Sequence, residues 1–246
     1  MDNSLLISLS HQLAAYRSMD VIANNLANVG TPAFQREEPT FHEYVAQLRP
    51  AEGQTGTQSL SFVADAGVVR DLSEGQFNTT NAPFDMAIHG KGFFAVQTPN
   101  GERYTRNGHF TLDASGQMVT SNGDPVQGDG GAITITPEDG DVSIAADGTV
   151  SGKNGQIARI KLVDFANPRG LVKEGASLYS ANGQSPAPAD NATLHSGMLE
   201  GSNVQPVVEI SNMIEVMRAY QATATLNQSQ EDLMRQAIDK LGAMPN

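Results

Sequence analysis

Two stretches of apolar residues at helical spacing, one at each end of a 246-residue chain, constrain this sequence more than any other feature. Toward the C-terminus, Ile210, Met213, Met217, Tyr220, Ala224, Asn227, Glu231, Met234, Ile238 and Leu241 step by three and four in alternation, a heptad seam interrupted by two polar residues. This spacing predicts a helix over residues 204–241, with Ser202 or Asn203 as cap and Pro206 in a first turn that needs no amide. At the other end, Leu5, Leu9, Leu13, Tyr16, Met19, Ile22 and Leu26 draw a stripe along a helix predicted over residues 4–28. Asp2, Asn3 or Ser4 caps it, and Gly30 and Pro32 stop it. Neither helix has neighbours in the nearby sequence that could cover its stripe. The two are therefore expected to pair with each other as a coiled-coil-like layer, and with further copies.

Between them the texture changes. Asn-Gly pairs at 100–101, 107–108, 122–123, 154–155 and 182–183 are joined by Asp-Gly pairs at 129–130, 139–140 and 147–148. Such dipeptides favour the positive φ of tight hairpin turns, and short β-rich runs such as Phe93-Phe94-Ala95-Val96 and Ile133-Thr134-Ile135-Thr136 lie beside them. The fold class is mixed α and β: a central all-β domain of antiparallel hairpins inserted between the terminal helices. The expected divisions are 1–35 for the first helix and its loop, 36–70 for an extended connector, 71–189 for the β domain, 190–201 for a second connector, and 202–246 for the heptad helix that pairs with 1–35.

Composition removes several functions. Lys and Arg number 15 against 27 Asp and Glu, a net charge of −12, opposite to what nucleic acid or an anionic membrane surface requires. The absence of cysteine excludes thiolate nucleophiles and cysteine-held metal centres. No apolar run is long enough to span a bilayer, so no direct membrane insertion is expected, and the polar, acidic opening is unlike a cleavable signal. His11, His42, His89, His109 and His195 are scattered, Gly90-Lys91-Gly92 lacks the rest of a phosphate loop, and the acidic turns lack the spacing of a calcium loop. The expectation is a chain that is not an enzyme, with no cofactor and no metal.

Three motifs then point in one direction. The run Ala23-Asn24-Asn25-Leu26-Ala27-Asn28-Val29-Gly30-Thr31-Pro32-Ala33-Phe34 resembles the N-terminal signature of bacterial flagellar rod and hook proteins. It departs at Ala33, where that pattern has glycine, and at Gln35, where a basic residue is common. Tyr104-Thr105-Arg106-Asn107-Gly108-His109-Phe110, followed by Gly116-Gln117-Met118-Val119-Thr120, is similar to the family's central β motif. Leu199-Glu200-Gly201-Ser202-Asn203-Val204 with Ile214, Arg218, Ala219, Tyr220 and Gln221 is similar to its C-terminal signature.

The resemblance implies a structural subunit of the basal-body rod that crosses the periplasm, exported by the flagellar type III apparatus without a cleaved signal. Its partners would be copies of itself and neighbouring proximal-rod and distal-rod subunits. The opening Met1-Asp2-Asn3-Ser4-Leu5 and the modest length are most similar to proximal-rod members, with a distal-rod member as the alternative. In either case the implied contact residues are Leu9, Leu13, Tyr16, Asn24, Asn25, Leu26, Asn28, Ile210, Met213, Met217, Tyr220, Met234, Ile238 and Leu241. A secreted β-sandwich adhesin could share the central texture, but would not need an amphipathic helix at each end.

Overall fold

The computed structural model describes residues 2–48, 58–175 and 177–242. They form two compact units: residues 1–27, 37–70 and 205–246 make one, and residues 28–36 and 71–204 the other. In the helical unit, α1 (Asp2–Ala27) packs against α2 (Pro206–Gly242). The C-terminal end of α1 meets the first turns of α2 through Asn25 and Glu209, so the helices run in opposite directions.

The described residues of the expected connector 36–70 instead form the two strands of a long hairpin. Strand β1 (Glu37–Leu48) pairs antiparallel with β2 (Gln58–Arg70), with a register shift between Thr40 and Phe41, and both strands pack on α1. Gln, Ser and Thr in this segment read as linker, yet Phe41, Tyr44, Val45, Phe62, Val63, Val68 and Val69 supply the aromatic and β-branched residues that a pleated pair favours. The hairpin is the additional neighbour of α1 that the terminal sequences do not reveal. It is fastened by an Arg17–Asp65 ion contact at 3.2 Å and by the Val63 N–H, which donates to Ser10 Oγ at 3.4 Å.

The β unit is built around one six-stranded antiparallel sheet. Its order is Val172–Glu174, Leu178–Ser180, Gly101–Thr105, Phe93–Thr98, Leu162–Asp164 and Ala187–Pro188, with smaller two- and three-stranded sheets around it. The strand Phe93–Thr98 is buried along nearly its whole length, and alternation sends its side chains into two cores. Phe94 and Val96 join Met86, Ile88, Phe110, Met118, Val126 and Ile133 on one side; Phe93 and Ala95 join Tyr104, Val163, Phe165 and Tyr179 on the other. The expected connector 190–201 also belongs to this unit. Its strand Thr193–Ser196 pairs with Met86–His89, and Met198–Glu200 pairs with Phe77–Thr79. Alternation over such short segments is too brief to distinguish them from linker.

The acidic turns use their carboxylates locally. Asp113 accepts from the Ser115 hydroxyl and the Ser115 and Gln117 amides, Asp139 from the Thr136 hydroxyl and amide, and Asp147 from the Thr149 amide and hydroxyl. These bonds favour the charged form and hold all three carboxyls below their ordinary value. What they contribute to stability is present above the ordinary carboxylate range and is lost as pH falls through the lowered values.

Glycine serves two different purposes in these turns. Gly123 has φ +87° with open space around it, so its turn needs only the left-handed conformation. Gly108 has no positive φ, contrary to what its Asn-Gly context suggests; a Cβ there would lie 1.7 Å from the Met86 carbonyl oxygen. Gly123→Asn should therefore shift unfolding by no more than about 1 kcal/mol, whereas Gly108→Ala should cost about 3 kcal/mol or more, because backbone must move. Thermal unfolding of the two variants by circular dichroism checks the order.

Candidate assembly surface and motif junction

The helical residues singled out above separate into two groups. On α2, Glu209, Met213, Val216, Tyr220, Thr223, Asn227, Gln230 and Met234 are buried or half-buried, a continuous heptad against α1, with Asn212 and Ala224 also half-buried. Met213, Tyr220 and Met234 thus lie where the sequence pattern places them. Ile210, Met217 and Ile238 do not: the seam passes one residue earlier on alternate turns and leaves them exposed, Ile238 at 68%. The side chain of Leu241 lies outside the described residues.

On α1 the displacement is larger. Leu9, Leu13 and Tyr16 are exposed by 45%, 62% and 58%, while small residues (Ser8, Ala14, Ala15 and Ser18) lie on the covered side and Val21, Ile22 and Asn25 are buried near the C-terminal end. Small side chains allow close approach of the helices, and Leu6, Leu9, Leu13 and Tyr16 are left on the outside. Two free stripes result: Leu6, Leu9, Leu13 and Tyr16 on α1, and Val207, Ile210, Ile214 and Met217 on α2, each stepping by three, four and three.

The asparagines also divide. Asn24 is exposed, Leu26 is half-buried, and Asn28 sits in the turn after α1, where its Oδ1 accepts from the Thr31 hydroxyl at 3.2 Å. Asn25 is fully buried and spent within its own unit: its amide accepts from the Glu37 N–H at 3.0 Å and donates to the Glu37 carbonyl at 2.8 Å. Asn227 Oδ1 is buried with no partner among the described residues.

In the β unit the three motifs converge on one buried ion pair that the sequence does not announce. Arg106, from the central motif, donates from Nε to Glu200 Oε2 at 2.9 Å; both side chains are over nine-tenths buried. The other guanidinium nitrogens donate to the carbonyls of Gly90, Gly92 and Ile88 at 3.0–3.1 Å. Glu200, from the C-terminal motif, accepts the Gly75 N–H on its other oxygen at 3.2 Å, and its carbonyl accepts the Ala33 N–H of the N-terminal motif at 2.8 Å. Ala33 takes this place with φ +55°, the conformation for which the family pattern supplies glycine, and neighbouring Gln35 is buried, its Oε1 without a partner among the described residues. Phe34 is covered by Lys173, whose Nζ lies 4.4 Å from the ring centroid.

Comparison with known proteins agrees with this arrangement. Residues 87–152 match the model of the flagellar hook protein FlgE/F/G D1 domain, which includes the Arg106 motif, and residues 195–240 match the flagellar basal body rod FlgEFG protein C-terminal model, which includes Glu200 and most of α2. The chain is 41% identical to the flagellar basal-body rod protein FlgF of Caulobacter vibrioides over 98% of its own length and 99% of that protein. The chain belongs to the flagellar basal-body rod protein family. It is also 32% identical to FlgF of Salmonella typhimurium over 90% of the chain and 91% of that protein, and 31% identical to the rod protein FlgG of Bacillus subtilis over 97% and 99%. Membership makes it a structural protein of the basal body, not an enzyme, that assembles with other flagellar rod and hook proteins.

Burial pushes the Glu200 carboxyl above its ordinary value, and the opposing Arg106 charge does not fully compensate. Since the folded pKa is raised, the stability this group contributes falls as pH rises from the ordinary glutamate value through the raised one. Removing one partner is still costly, because the other charge stays buried. Arg106→Met or Glu200→Gln should each destabilise the β unit by about 3–5 kcal/mol, and Arg106→Met combined with Glu200→Met should recover most of that loss. Denaturant unfolding of the three variants measures it, and the Glu200→Gln curves should lack the pH dependence that the carboxyl imposes.

Proposed function

We propose that this chain is a proximal-rod subunit whose two free apolar stripes are its polymerisation surfaces. The carrying observation is that Leu6, Leu9, Leu13 and Tyr16 on α1, and Val207, Ile210, Ile214 and Met217 on α2, stay exposed although the helices already pack on each other and α1 also packs on the hairpin. Contiguous apolar rows on a chain with a net charge of −12 mark surfaces intended for a protein partner. Burying each such side chain in a neighbour contributes about 1 kcal/mol or more, enough in sum to drive association.

The two rows differ in sequence and lie on different helices. A contact between one row and a neighbour's other row is heterologous, and heterologous contacts that do not close generate a helical filament, which is what a rod is. The likeness to FlgF proteins over nearly the full chain supports the proximal position. In this reading the chain reaches the rod through the flagellar type III export apparatus and acts there as part of a drive shaft. Rod assembly and swimming test the surfaces. Leu13→Asp and Ile214→Asp should each abolish swimming, since a charge would enter a buried layer, while circular dichroism of the purified chain keeps its β signal. Wild-type swimming in both variants would remove the stripes from the account.

A further inference from the structure

We propose that Asn25 and Asn203 are positioning residues that staple the strands by which the chain passes between its two units, giving that passage the stiffness a torque-bearing subunit requires. This rests on the rod reading. The chain passes from one unit to the other four times, at 27–28, 36–37, 70–71 and 204–205. Unsupported, four short segments of single chain would act as flexible linkers and wind up under load rather than transmit it.

Each unit fastens these segments on its own side with one asparagine amide. In the β unit, Asn203 Oδ1 accepts the Arg36 N–H at 2.7 Å, and Nδ2 donates to the Asp71 and Ser73 carbonyls at 3.0 Å and to Ser73 Oγ at 3.2 Å. Its own N–H donates to the Phe34 carbonyl at 3.2 Å, and the Asp71 N–H donates to the Arg36 carbonyl at 2.8 Å. One side chain thereby ties together the last residue before one passage, the first residue after another, and its own segment, which leaves the unit at the next residue.

In the helical unit, Asn25 accepts the Glu37 N–H, donates to the Glu37 carbonyl, and reaches Glu209 Oε2 at 3.4 Å, so it joins the C-terminal end of α1, the first residue of β1 and the first turns of α2. The consecutive amides of Arg36 and Glu37, on either side of one passage, are held by two different asparagines. Both side chains use donor and acceptor together, which neither aspartate nor alanine can reproduce.

Trypsin reads this directly, because two passages follow an arginine, Arg36–Glu37 and Arg70–Asp71. In the full-length chain, Asn203→Ala should speed cleavage at both bonds by about tenfold, the factor that corresponds to losing one to two net hydrogen bonds. Asn203→Asp keeps the acceptor for Arg36 and loses the donors to Asp71 and Ser73, so its cleavage should rise at Arg70 and much less at Arg36. Asn25→Ala should instead speed amide exchange at Glu37.

In a strain lacking its own rod subunit and complemented by this chain, the alanine variants should build rods and swim in thin medium, but lose speed in viscous medium more steeply than wild type. Cleavage and exchange rates equal to wild type would overturn the staples. Faster cleavage with unchanged swimming under load would overturn their mechanical role. Failure of the wild-type chain to complement would count against the rod reading instead, and the cleavage and exchange rates would still decide whether the staples hold.

Discussion

The buried pair of Arg106 and Glu200 is the contact on which the β unit depends. A guanidinium and a carboxylate with little access to water are tolerated only when their remaining hydrogen-bonding groups are satisfied. Here Arg106 gathers the carbonyls of Ile88, Gly90 and Gly92, and Glu200 gathers the amides of Gly75 and, through its own carbonyl, Ala33. Segments from near the start, the middle and near the end of the chain are thereby fixed to one point. Such a pair adds little net stability compared with an apolar replacement. Its directional bonds instead select one arrangement of segments that are far apart in sequence.

The helical unit follows the opposite logic. Its internal seam is built largely of modest residues, many of them small on α1 and partly polar on α2, with a buried glutamate, a buried asparagine and an amide oxygen at Asn227 that has no partner among the described residues. Leu6, Leu9, Leu13 and Tyr16 of α1 and Val207, Ile210, Ile214 and Met217 of α2 lie outside it. A chain destined to remain a monomer would place them inside. On the filament reading proposed above, the chain keeps them for its neighbours and accepts a weaker fold of its own.

This division explains what could be read in the sequence. Both helices, their ends and the all-β character of the centre follow from periodicity and turn residues, which are local signals. The α2 seam is only half legible: Met213, Tyr220 and Met234 lie in it, but Ile210, Met217 and Ile238 lie beside it, because apolar spacing cannot distinguish a stripe covered within the chain from one left exposed. The hairpin at 37–70 escaped because its aromatic and β-branched residues are diluted with Gly, Gln, Ser and Thr. The ion pair escaped because Arg106 and Glu200 are separated by 94 residues, and nothing local marks either as buried. Gly108 suggested a turn, whereas the Met86 carbonyl that requires it is distant in sequence.

The absence of cysteine permits a direct test of whether the exposed stripes become buried on assembly. Single cysteines placed at Leu13, Tyr16, Ile210 or Ile214, with a control at the exposed Asp129 of the β unit, can be labelled by a maleimide in the purified chain and in isolated basal bodies. The account predicts that all five label in the free chain and that the four helical sites, but not the control, are protected in the basal body. Equal labelling of the helical sites in both states would contradict it.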